Sequence, residues 1–204
     1  MKRIPIIPTI IVIIAIAAMI RLGFWQLDRL HEKEVLLARY AVAEKLPPMA
    51  FPSIPVGDQL LFRRATGFCL KPVGQRIESG RNQNGVSGWR HIISCRTGAE
   101  GPGLTVDIGW SQSFNVKNNW AGGTVSGMIS AQPDHRSLIS KLLRRGVASP
   151  LMLIADVGAP GLLPSAKPIL TDIPNNHLAY AGQWFLFAVF AALIYGLALR
   201  RRLS

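Results

Sequence analysis

Two long uncharged apolar stretches, one near each end of the chain, restrict what this sequence can fold into more than any other feature. Ile4 to Ile20 contains no charged residue, and neither does Leu178 to Leu199. Read as helices rising about 1.5 Å per residue, the second spans about 33 Å and can cross a bilayer unaided, while the first covers about 25 Å. Continuing through Leu22 to Trp25 completes the first crossing. Arg21 can snorkel to the interface on its long stem, and Phe24 and Trp25 supply aromatic anchors at headgroup depth.

The formal charge of +12 suggests nucleic acid at first sight. Half of it, however, sits on Lys2, Arg3, Arg21, Arg200, Arg201 and Arg202, which border the apolar stretches as membrane topology requires. The middle of the chain has no long basic run with interleaved aromatics, so nucleic-acid binding is set aside. Positive flanks stay inside, which places both termini in the cytoplasm and the segment between them outside. A cleaved signal peptide is the competing reading of the first stretch, with Ala15-Ile16-Ala17 as its cleavage site. The apolar run outlasts a usual signal core and continues into an aromatic-flanked helical segment, which favours an uncleaved anchor.

These features lay the chain out as a membrane α+β protein, with two transmembrane helices flanking an external antiparallel β-rich domain. Residues 4–25 form the first transmembrane helix. Residues 26–46 continue as a juxtamembrane helix, since Leu27, Leu30, Leu37 and Tyr40 recur near helical spacing. Pro47, Pro48, Pro52 and Pro55 make 47–59 a stiff linker. The β-rich domain covers 60–176, and 178–199 is the second transmembrane helix. In Leu104 to Trp110 every second residue is apolar, the pattern of a half-buried strand. Phe62 to Leu70, Gly88 to Arg96, Gly123 to Ser130 and Leu151 to Val157 read similarly, which predicts five strands in an antiparallel sheet or partly closed barrel. Ser137 to Arg145 is expected to add a short helix.

Catalytic motifs are missing. Cys69 and Cys95 form neither C-x-x-C nor C-x-x-C-H, leaving a disulfide and two isolated buried thiols both open. A nucleophile elbow, a zinc-protease helix, a P-loop and a dinucleotide fingerprint are all absent. Of the four histidines, His31, His91 and His135 lack a ligand-spaced neighbour and read as structural or solvated. His177 differs. It stands at the outer mouth of the second span, followed at helical spacing by Tyr180, Trp184, Ala188, Ala191 and Tyr195. One nitrogen ligand, aromatic walls and small-residue space suit a flat apolar macrocycle with an iron centre. The plainer alternative is an interfacial histidine beside an ordinary aromatic belt.

The two membrane boundaries carry Gly23-Phe24-Trp25-Gln26-Leu27-Asp28-Arg29 with Lys33, and Asn175-Asn176-His177-Leu178-Ala179-Tyr180 with Gln183-Trp184-Phe185. These residues resemble the Surfeit locus protein 1 family, the first set being similar to its G-x-W-Q-x-x-R-x-x-x-K signature and the second to its N-N-H-x-x-Y-x-x-x-W-F entry into the last span. Gly67-Phe68, Val106 to Trp110 and Val125-Ser126-Gly127 look like weaker landmarks. One departure stands out: Asp107-Ile108 precedes Gly109-Trp110 where the family commonly has asparagine and arginine, so no role of that arginine carries over.

The resemblance implies an assembly factor for haem-copper terminal oxidase, a binder and not an enzyme, that helps haem a reach the catalytic subunit. It implies a bacterial inner membrane or its mitochondrial counterpart as the location, with membrane lipid, the oxidase catalytic subunit and other assembly factors as partners. By the same resemblance His177 is the haem ligand, and helical spacing puts Tyr180 and Trp184, three and seven residues on, on its face to flank the macrocycle. Because the first span ends and the second begins at one membrane surface, Trp25, Gln26 and Arg29 are expected near His177. Arg29 and Lys33, four apart on a helix, are placed to pair with haem propionates, although contacts with Asp28 and Glu32 compete. The alternative function is a cofactor-free membrane scaffold for oxidase subunits.

Overall fold

The computed structural model describes residues 5–52, 57–99, 103–133, 140 and 150–203. They form two compact units, one of Met1–Ala38 with Ile173–Ser204 and one of Arg39–Asp172.

Helix α1 runs unbroken over Ile6–Lys45, so the expected membrane and juxtamembrane segments are one helix with no break at Gln26. Pro8 falls in its first turn, where the missing amide costs no intrahelical bond. Pro47 and Pro48 follow its last residue, Lys45, and prevent continuation. Helix α2 covers His177–Leu203 and carries Arg200, Arg201 and Arg202 in its last turn, where cations complement the helix dipole. Asn176 caps it, its carbonyl accepting the first helical bond from the Tyr180 amide at 3.1 Å. Both helices are long and apolar enough to cross a membrane.

The two helices pair along a seam whose less exposed residues alternate spacings of four and three. On α1 these are Thr9, Val12, Ile16, Met19, Gly23 and Gln26, and on α2 His177, Ala181, Trp184, Ala188, Ala191 and Tyr195. A mean period of 3.5 keeps one stripe facing one partner along a left-handed pair. The contacts run antiparallel. Thr9 meets Tyr195, Phe24 lies edge-on to Phe185 at 5.4 Å, and Gln26 meets His177. Gly23 is a point of close approach, since a Cβ there would sit 2.5 Å from the Phe185 ring. Small residues at such an interface let the backbones come close enough for dispersion forces to hold the pair.

The second unit is a seven-stranded sheet built from β1 (Met49–Ala50), β2 (Arg64–Cys69), β3 (Lys71–Arg81), β4 (Ser87–Arg96), β5 (Leu104–Ser111), β6 (Gly123–Ala131) and β7 (Leu151–Ala155). Its hydrogen-bonded order is β1-β2-β6-β7-β5-β4-β3. Although β2 and β3 lie towards opposite ends of that order, only Leu70 separates them in the chain, so the sheet curls into a partly closed barrel. The Leu70 amide bonds to the Arg96 carbonyl at 2.9 Å, and a Cys69–Cys95 disulfide clasps β2 to β4 across the closure. Alternate residues of the curled strands, among them Ile93, Leu104, Val106, Ile108, Val125, Ile129 and Leu153, fill one buried core. Ile92, Met152 and Ile154 are buried on the opposite face.

All five expected strands are present, and two more join them. The first, β3, is an edge strand whose residues are mostly exposed, and Pro72, Gly74 and Gly80 interrupt any alternation. Pairing with β4 makes it a strand, not burial of its own face. The second, β1, corrects the boundary at residue 60. Met49 and Ala50 in the proline-rich linker pair with Ala65 and Thr66, because the prolines flank the ladder without occupying it. The sheet is also mixed, with β1–β2 and β5–β7 parallel. Alternation reports burial and carries no information on strand direction. The short helix expected over 137–145 lies, apart from Ser140, outside the described residues.

At the rim, Gly109 adopts φ +138°, and a Cβ there would lie 2.8 Å from the Leu163 carbonyl oxygen. This close approach lets Trp110 and Leu163 exchange backbone hydrogen bonds of 2.6 and 2.9 Å. The 158–167 segment is thereby drawn across β5.

Candidate functional site

The boundary residues singled out from the sequence converge at one end of the helix pair. His177 is the first residue of α2 and half-buried, and its Nδ1 lies 2.7 Å from Oε1 of Gln26 on the α1 seam. Its Nε2 has no hydrogen-bond partner among the described residues. Two residues earlier, Asn175 Oδ1 is buried and likewise without a partner there. A buried acceptor with nothing to accept from costs about 1–3 kcal/mol, so such an atom marks a place where a donor fits.

Trp25 and Arg29 pack against each other. Trp25 is 45% exposed, and the Arg29 guanidinium carbon stands 5.9 Å from its ring centroid while Nη1 reaches Glu32 Oε2 at 2.5 Å. The competing contact with Glu32 thus occupies Arg29 in this structure. Trp184 is half-buried and edge-on to Phe187 at 6.2 Å.

Tyr180 leaves the expected common face: it is 49% exposed, and Ala181 takes the seam position instead. The seam steps four residues from His177 before it steps three, so the residue at three falls outside it. The space beside Ala188 is also not open, since that residue is only 5% exposed, and the seam it belongs to faces α1. A macrocycle beside His177 would therefore have to lie off the seam, on the exposed side where Tyr180 stands. What sequence reasoning missed is Gly23, whose place in the first motif is explained by the Phe185 ring, and Asn175, whose signal was its place in the second.

In the sheet unit, buried polar networks surround Asp107 and His91. Asp107 is fully buried, with Arg90 Nε donating to Oδ2 at 2.6 Å and both Ser165 Oγ (2.8 Å) and the Gly109 amide (3.0 Å) donating to Oδ1. Burial pushes its carboxyl above the ordinary 3.8, opposed by Arg90, Ser165 and Gly109. This network fills the place of the sequence departure at Asp107-Ile108.

His91 is also fully buried. Ser111 Oγ donates to the Ser113 carbonyl at 2.8 Å, so it accepts from His91 Nε2 at 2.7 Å, which leaves Nδ1 to accept from Gln75 Nε2 at 3.1 Å. Burial lowers the imidazole below 6.5, with the Asp107 charge pulling the other way. Every polar atom of the ring is satisfied, so His91 is structural.

Among the described residues no three of His, Cys, Asp and Glu cluster as metal ligands. A cavity of about 380 Å³ between β1, β2 and β5 is lined by Phe51, Phe68, Leu104, Thr66, Thr97 and Thr124 among others, and among the described residues by no titratable side chain. Its described lining suits an apolar group and offers iron no ligand.

The family model for the SURF1 family matches residues 13–189, which takes in both boundary motifs and the whole sheet unit. No curated protein matches the chain.

Proposed function

We propose, from the premise that this chain belongs to the SURF1 family, known for cytochrome oxidase assembly, that it serves that assembly by holding haem a for the oxidase catalytic subunit. The reading rests on one observation: an imidazole at the mouth of a membrane-spanning helix pair has one nitrogen tied and the other without a partner among the described residues. The donor set fits the group. His177 Nε2 would ligate the iron, Tyr180 and Trp184 would lie against the macrocycle, and the orphaned Asn175 Oδ1 would take a donor from the ligand or its water. When bound, haem a supplies a redox-active iron whose chemistry belongs to the oxidase that receives it. This chain binds, orients and releases, and is no enzyme. Arg29 and Lys33 would meet the propionates, Arg29 exchanging Glu32 for them.

The membrane is a bacterial inner membrane with both termini cytoplasmic and the sheet unit periplasmic. Lys2, Arg3 and Arg200 to Arg202 support that orientation, as does the disulfide in the sheet unit, since such bonds persist in oxidising compartments. Reporter fusions after Gly98 test it, and a cytoplasmic-type signal there would reverse it.

For function, the full chain is purified from cells that make haem a and its absorbance recorded. A Soret band that His177→Ala abolishes at unchanged protein level is the expected result. Colourless wild-type protein that still restores oxidase to a deletion strain would establish the scaffold reading instead.

A further inference from the structure

We propose that Gln26 is a positioning residue for His177: its side-chain carbonyl holds the imidazole in the Nδ1–H tautomer and so presents the Nε2 lone pair to an incoming iron. This deepens the haem reading and rests on it.

The Gln26 Oε1 that lies 2.7 Å from Nδ1 is a carbonyl oxygen with no proton to give, so the imidazole is the donor. A neutral imidazole carries one N–H. With that proton on Nδ1, Nε2 is a bare lone pair, the form that binds a metal. Histidines that ligate metals commonly donate their other N–H to a fixed acceptor, which sets both tautomer and ring direction, and removing that acceptor typically costs about 10–100-fold in affinity. A histidine free in water populates both tautomers, so part of what the iron meets is then the wrong one or wrongly aimed.

The two residues come from different helices, 151 positions apart. The ligand-ready imidazole is therefore a property of the helix pair and not of α2 alone. Gly23 against Phe185 sets the spacing one turn below Gln26, and Thr9 against Tyr195 sets the register at the far end.

The test uses the full chain in lipid nanodiscs, labelled with ¹⁵N-histidine, as wild type, Gln26→Leu, Gln26→Glu and His177→Ala. The last variant identifies the His177 signals by difference. Before any haem is added, wild type should show a protonated Nδ1 and an unprotonated Nε2. Gln26→Leu should show both tautomers, and Gln26→Glu, which restores an acceptor at the same reach, should return the single form. Titrated with haem a, Gln26→Leu should bind about 10–100-fold more weakly than wild type, with an altered axial-ligand spectrum, and Gln26→Glu should recover the affinity.

A wild-type Nε2–H tautomer, or a Gln26→Leu protein with unchanged tautomer and affinity, would overturn the proposal even where His177→Ala abolishes binding. If His177→Ala binds haem as wild type does, the ligand assignment itself fails, while the haem-free spectra still decide what Gln26 does to the ring.

Discussion

The hydroxyl of Tyr195 lies 2.6 Å from the hydroxyl of Thr9, a polar contact that closes the helix pair at the end away from Gln26 and His177. Along α1 the two contacts are about 25 Å apart at about 1.5 Å per residue, so together they pin both ends of the seam. Thr9 also bonds back to the Pro5 carbonyl at 2.8 Å, which orients its oxygen. In a double-mutant cycle of Thr9→Ala and Tyr195→Phe, helix-pair stability in bilayers should show a coupling of about 0.6 kcal/mol. Strictly additive losses would mean that the hydroxyls do not interact.

Gly23 should tolerate no branched side chain. Gly23→Ile places carbon where the Phe185 ring stands and should push the helices apart, whereas Gly23→Ala asks only for a ring shift. Cysteines substituted at 9 and 195 report the outcome, since the native cysteines are already paired. Crosslinking should be efficient with Gly23, reduced with Ala and nearly lost with Ile. Full crosslinking in the isoleucine variant would contradict the seam.

Breaking the buried ion pair should depend on which partner is removed. Arg90→Ala leaves a fully buried carboxylate without its cation, a loss of about 3–5 kcal/mol at neutral pH. Asp107→Ala should cost less, because the Arg90 side chain is 17% exposed and can turn to water. The pH dependence follows from the raised carboxyl. The folded state keeps a proton that the unfolded chain has released, so stability falls as pH climbs from 3.8 through the folded value and is flat above it. Without Arg90 the folded value rises further and the window widens upward. Denaturant titrations across that range check this, and a deficit in Arg90→Ala that stays constant with pH would refute it.

His91 acts in the opposite sense. Its folded value lies below 6.5, so the unfolded chain takes up a proton first as the medium is acidified. The stability it contributes is complete above 6.5 and is lost as pH falls towards the folded value. His91→Gln should remove that slope while shifting stability by a constant amount. The measurement is the denaturation midpoint against pH, and an undiminished slope in the variant would assign the effect to another group.

Much of the architecture is legible from the chain alone, because apolar periodicity reports which face of an element is buried. The uncharged run from Leu178 to Leu199 could hardly be anything but a spanning helix, and Leu104, Val106 and Ile108 announce the inner face of β5. Where burial leaves no pattern, the reading stops. Strand β3 is solvated along most of its length and exists because β4 offers it a hydrogen-bonding edge, and β1 is two residues among prolines. Tyr180 marks a finer failure. Three residues from His177 is near enough to share a helical face, but whether it lies inside the seam depends on where the partner helix runs.

Local patterns along the chain suffice for two helices and a sheet, for the faces they bury, and for the two motifs that border the apolar runs. The partners follow from packing between distant elements: Gln26 with His177, Cys69 with Cys95, and Asp107 with Arg90 and Ser165. Spacing within an element determines the direction in which a side chain leaves its own backbone. What it meets is set by how distant elements pack, a competition among many contacts that no local pattern records.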